Sequence, residues 1–194
     1  MKGMINRSAY FVLCKEATHH DTSEATDEVN THYAVQMTEI ERILDQHKRA
    51  YNGGAWHGPA LREILADVTA EQAAARPLPN AHSIWELVLH ITAWETATRK
   101  ALDGIPIDVP EEENFPPVSD TSEAAWQDAL TTFEAGHHAL REAIARQSDD
   151  ILDASAGHFV PGRPYSYYFL LHGVIQHNLY HAGQIVMLKK ALVV

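Results

Sequence analysis

Apolar residues recur three and four positions apart over four long stretches of the chain, with polar residues between them, the pattern of helices that turn one face inward. From Met37 through Ile40, Ile43 and Leu44 to about Tyr51 the spacing predicts a helix. Asn52-Gly53-Gly54 interrupts it, and Pro59-Ala60-Leu61 resumes it; Pro59 suits a first helical turn, where no amide hydrogen is required. Ser83-Ile84-Trp85-Glu86 has the Ser-x-x-Glu form of a capping box and opens a second helix running to about Leu102. A third begins near Thr121-Ser122, ends about Gln147, and puts Trp126, Leu130, Phe133, His137, Leu140 and Ile144 on a narrow seam. The fourth runs from about Ser166 to Leu192, its seam reading Tyr167, Leu170, Val174, His177, His181, Ile185 and Leu188, with Leu171 and Asn178 alongside.

The connections differ in kind. Gly104, Pro106, Pro110 and Pro116-Pro117 make a long irregular link, longer than a tight antiparallel turn requires, and such loops often carry function. Gly157, Pro161, Gly162 and Pro164 break the chain before the last helix. No convincing strand alternation is present. The pattern therefore predicts an all-α fold, an up-down four-helix bundle over residues 34–194, preceded by a polar, weakly structured extension over residues 1–33.

Composition narrows the function classes. The 194 residues carry a formal charge of -11, which repels phosphate backbones and anionic lipid alike, and no basic cluster longer than a pair exists to override it. Nucleic acid and membrane are not expected as partners. Cys14 is the sole cysteine, so no internal disulfide can form and a reducing cytoplasm is the expected location. No apolar run reaches the roughly 18 residues of a membrane span.

Thirteen histidines raise the question of metal chemistry. His177 and His181 are four residues apart on the apolar seam of the last helix, so both imidazoles leave one face and can bite a single ion. Histidines aimed into a core need hydrogen-bond partners or a metal, since an unsatisfied buried polar group costs about 1–3 kcal/mol. His90, between Leu87 and Trp94 on the second helix, is the best third ligand. His137 and His172 compete for that role, but His172 lies five residues before His177 and points away from it, and His137 reads more readily as a packed, hydrogen-bonded core histidine. His57, in the break of the first helix, and Tyr180, between the paired ligands, are candidate pocket residues, with ordinary packing the alternative for each.

Three stretches, Ala55–Pro59, His82–Glu95 and Gly173–Ile185, together resemble the DinB family, the DinB/YfiT-like metalloenzymes, over about residue 37 to the C-terminus. The resemblance implies a four-helix bundle in which His90, His177 and His181 hold a divalent metal. It also implies a frequent homodimer and, for members with an activity, S-transfer or isomerisation with bacillithiol, mycothiol or glutathione; others are described as hydrolases.

Three neutral imidazoles leave an ion with open positions, as catalytic sites have. Zinc fits, and nickel, iron or manganese fit as well. In zinc peptidases a glutamate beside the first ligand acts as base; here that position is Asn178, which takes no proton. The expected function is thus a metal-dependent transferase joining a low-molecular-weight thiol to an electrophilic small molecule. The alternatives are a hydrolase using metal-bound hydroxide, with Glu86 or Glu95 as base, and a non-catalytic metal-binding stress-response module.

Overall fold

The computed structural model describes residues 37–160 and 163–192; the expected extension over residues 1–33, with Cys14, lies outside them. Helix α1 (Glu39–Asn52) starts at Thr38, whose side chain accepts from the Glu41 amide while Glu41 reaches back to the Thr38 amide, satisfying two free donors of the first turn. The carboxylate of Asp149 accepts from the next two free amides, of Glu39 and Ile40, at 3.0 and 2.9 Å. The helix stops where Gly53 takes a left-handed φ of 89°, a conformation that favours glycine.

Two short helices, α2 (Leu61–Leu65) and α3 (Ala70–Ala74), fill the connection to α4 (Ile84–Leu102). Pro59 lies outside α2, before its N-cap Ala60, instead of in the expected first turn, because Glu63 caps the Ala60 amide and starts the helix two residues further on. The capping box of α4 forms as its sequence predicts: Glu86 accepts from the Ser83 amide at 2.7 Å and the Ser83 hydroxyl accepts from the Glu86 amide at 3.2 Å. The long irregular link carries a one-turn helix, α5 (Glu111–Asn114), and leads into α6 (Glu123–Ala145).

The fold is all-α as expected, with one short element between α6 and α7 (Tyr167–Ala191) that the sequence pattern does not predict. Strands β1 (Ser155–Val160) and β2 (Arg163–Ser166) pair as an antiparallel hairpin. The hairpin is interrupted by register shifts at Ser155/Gly157 and His158/Val160, so no clean alternation of apolar and polar residues marks it, and its glycines and prolines read as a break.

The four long helices pack as a bundle in which α4 lies along α6 and α7, and α1 lies along the same two. The first and second long helices therefore sit across a diagonal, with α2 and α3 spanning the gap. Each predicted seam faces the interior: Trp126, Leu140 and Ile144 of α6 and Leu171 and Ile185 of α7 are fully buried. Burying such a side chain stabilises by roughly 1.5–3 kcal/mol. Among the described residues no helix is long and apolar enough to cross a membrane.

Candidate metal centre

His90 leaves the inner face of α4, and His177 and His181 leave successive turns of α7, which packs against it. The three meet at their Nε2 atoms: His90 lies 2.9 Å and His181 3.1 Å from His177. The residues singled out from spacing are thus brought to one point.

What fixes the rings is their other nitrogen. His90 Nδ1 lies 2.7 Å from the Asn114 carbonyl, and His181 Nδ1 lies 2.7 Å from Gln184 Oε1. Both partners only accept, so both Nδ1 atoms carry the hydrogen and both Nε2 atoms present lone pairs. His177 stands between them and can donate one hydrogen to one neighbour. That hydrogen satisfies one neighbouring lone pair and leaves the other without a donor among the three rings, which a cation shared by all three nitrogens relieves. Burial pushes all three imidazoles below their ordinary pKa, His177 down to about 4 with the neighbouring His181 and His90 adding to the effect. At neutral pH they are uncharged, the state a metal requires. The donor set fits a divalent ion.

The long link after α4 builds the wall beside this point. Phe115 stacks between His82 (centroids 3.7 Å apart, 4° between planes) and His90 (4.0 Å, 3°). Asn114 accepts from Trp94 Nε1 at 3.0 Å through its side chain while its carbonyl holds His90. The three Nε2 atoms open onto a cavity of about 470 Å³ whose walls include Trp94, Phe115, Phe169, Leu170, Val174 and Tyr180. Tyr180 is two-thirds exposed and sets its ring edge against His181, centroids 5.0 Å apart. His57 is not brought there: it is exposed, in the α1–α2 loop next to the fully exposed Trp56, and does not line the cavity.

The two candidate bases are also held elsewhere. Glu86 caps α4 and pairs with Arg76. Glu95 is fully buried and meets a second polar group: Asn178 Nδ2 donates to its Oε1 at 2.7 Å, His47 Nε2 lies 3.2 Å and His137 Nδ1 3.4 Å from the same oxygen. Burial pushes the Glu95 carboxyl up, but His137 and His47 outweigh it and hold the group down to about 2. His172 points to the start of α1, 3.7 Å from Glu39.

Spacing did not single out Asn114, Phe115, Gln184 or His47. Gln184 follows His181 by three residues on the same helix and was within reach of a spacing argument. Asn114 acts through its backbone carbonyl, which no side-chain pattern reveals. His47 looks, in sequence, like any polar residue between apolar ones.

A helical bundle with three inward histidines at the floor of an apolar cavity defines the class of protein. The family model of the DinB superfamily matches residues 55–185, and the chain belongs to that superfamily. The crystal structure of a conserved protein from Enterococcus faecalis is similar in fold, with a TM-score of 0.57 and 16% identity over 81% of this chain and 99% of that one. No curated protein matches the chain.

Proposed function

We propose that the chain is a divalent-metal-dependent S-transferase that joins a low-molecular-weight thiol to an uncharged, apolar electrophile. The observation that carries this reading is the convergence of three Nε2 atoms on a cavity whose described walls hold no carboxylate and no Lys or Arg. His90, His177 and His181 would hold the ion. A divalent metal there supplies Lewis acidity and lowers the pKa of a thiol or water that binds it.

The remaining chemistry falls to the chain. Trp94, Phe115 and Phe169 give flat apolar surfaces on which a small hydrophobic electrophile can lie and from which water is displaced. Asn114 and Gln184 keep the His90 and His181 rings in a single tautomer through turnover. Transfer forms a carbon–sulfur bond, the leaving group departs with its electron pair, and the thiol proton passes to solvent. No side-chain base is needed once the sulfur is ionised. Base-assisted hydrolysis, in which a side chain takes the proton from water, loses support because the two nearby glutamates are committed to a helix cap and to the interior.

The test is conjugation of a chromogenic aryl halide to glutathione, mycothiol and bacillithiol by the zinc-loaded chain. Acceleration with one or more of these thiols that is lost in His177→Ala supports the reading. Equal rates for the wild-type and variant proteins with every thiol would overturn it.

A further inference from the structure

We propose a second, structural metal site, made by His47, Glu95 and His137 in the sealed interior of the bundle. It shares no ligand with the histidine trio and does not rest on the proposed enzyme function.

Each of the four long helices contributes one polar residue to this place: His47 from α1, Glu95 from α4, His137 from α6 and Asn178 from α7. All are at most 2% exposed, and metal sites in helical bundles are built in this way from facing helices. The rings lie face to face. His137 lies between Tyr51 and His47, its centroid 3.9 Å from the first and 4.3 Å from the second, with planes 16° and 7° from parallel. His47 Nε2 and His137 Nδ1 approach the same carboxylate oxygen at 3.2 and 3.4 Å, a ligand atom from each of the three residues lies within 4.8 Å of the others, and a turn of the His47 ring, which no hydrogen bond holds, brings both lone pairs onto one ion.

Hydrogen bonding alone leaves this group poorly satisfied. Neither nitrogen of His47 makes a hydrogen bond, Glu95 Oε2 has no partner, and Asn178 Oδ1 has none. The His47 and His137 contacts to Glu95 Oε1, 3.2 and 3.4 Å, are long for charge-assisted bonds in a dry core, which close to about 2.7–2.9 Å. They are close to the spacing between neighbouring ligands of one ion: bonds of about 2.0–2.2 Å at tetrahedral angles put donor atoms about 3.3–3.6 Å apart. Among the described residues no Lys or Arg contacts the Glu95 carboxylate to offset its charge, and a divalent ion would balance it. Asn178 Nδ2 then steadies the ligating carboxylate, as a supporting hydrogen bond does in other sites. Enclosure on every side suits an ion taken up during folding that pins α1 to α4 and α6. The set of two nitrogens and one carboxylate accommodates zinc, iron, manganese or nickel.

Zinc per chain, measured on the full-length protein produced in zinc-supplemented medium, tests the proposal. Two ions are expected in the wild type and one in His177→Ala/His181→Ala, which cannot hold an ion at the trio. Adding Glu95→Gln to that variant should remove the last ion with helicity preserved. X-ray absorption at the zinc edge of the double variant should report two imidazoles, more than His90 alone can supply, so the assignment does not depend on the triple variant folding. No zinc in the double variant, one imidazole at its zinc, or zinc retained by a folded triple variant would each overturn the second site. One ion in the wild type and none in the double variant leaves the trio standing alone. One ion in each means the trio fails and the second site stands.

Discussion

The molecule carries two histidine clusters, and consecutive residues of α7 join them: His177 belongs to the first and Asn178 reaches Glu95 in the second. The first has three imidazoles, two steadied through Nδ1, at the floor of a cavity of about 470 Å³. The second has two imidazoles and a carboxylate, is enclosed on all sides, and keeps buried polar atoms without hydrogen bonds. Similar ligand chemistry thus serves two ends. A neutral donor set facing a cavity leaves room for a substrate, whereas a set with its own anion inside the core acts on the fold.

Truncation should separate the two most sharply. Glu95→Ala strands His137 and Asn178 without their common acceptor and takes the carboxylate away from His47, and breaking such a buried group costs about 3–5 kcal/mol. The expected fall in Tm is roughly 6–20 °C, read by thermal unfolding. His177→Ala should instead leave the Tm of chelator-treated protein nearly unchanged while metal affinity at the trio drops more than about 100-fold, beyond the cost of losing a supporting hydrogen bond. Equal thermal effects of the two substitutions would erase the distinction.

Acid should resolve them next. Burial lowers the folded-state pKa of His90, His137, His177 and His181 below 6.5, so the unfolded chain binds those protons more readily. Their contribution is fully present above pH 6.5 and is lost as pH falls through the lowered values, reaching about 4 for His177. Glu95, held down at about 2 from 4.5, adds a second loss between those values. Urea midpoints of the metal-free protein should fall below pH 6.5 and fall again below pH 4.5. His177→Ala should make the upper limb shallower and Glu95→Gln the lower; a flat profile in the wild type would contradict both assignments.

These contrasts also mark what could be read from the chain itself. The four long helices were legible because each has a one-sided apolar stripe, and the α4 start because Ser83 and Glu86 stand at capping-box spacing. His177 and His181 were legible for the same reason, since i and i+4 share a helix face. The second cluster was not, because His47, Glu95 and His137 come from three different helices and meet only after packing. The hairpin was hidden by its bulges, and the wall supplied by Asn114 and Phe115 by a fold-back of the long link that no periodicity encodes.

Supporting groups should give a smaller effect, confined to the open cluster. Gln184→Leu removes the acceptor that holds His181 Nδ1 and frees the ring to present either nitrogen. Zinc affinity should fall about 10–100-fold, measured by competition with a chelating dye, with Tm of the metal-free protein unchanged. An unaltered affinity would mean that packing alone orients His181.

Phe115→Ala should give the smallest change. Its ring lies between His82 and His90, and aromatic pairs of this kind contribute about 0.5–1.5 kcal/mol beyond their burial. Losing it loosens the segment whose Asn114 carbonyl holds His90, but Trp94 still donates to the Asn114 side chain and keeps that carbonyl near its place. Zinc affinity at the trio should therefore weaken by about two- to twelvefold, the same energy written as a ratio, and the sealed cluster, which Phe115 does not touch, should keep its ion. A loss as large as that of Gln184→Leu would mean that the ring stack, and not the carbonyl, fixes His90; a loss of zinc from both clusters would mean that the link braces the whole bundle.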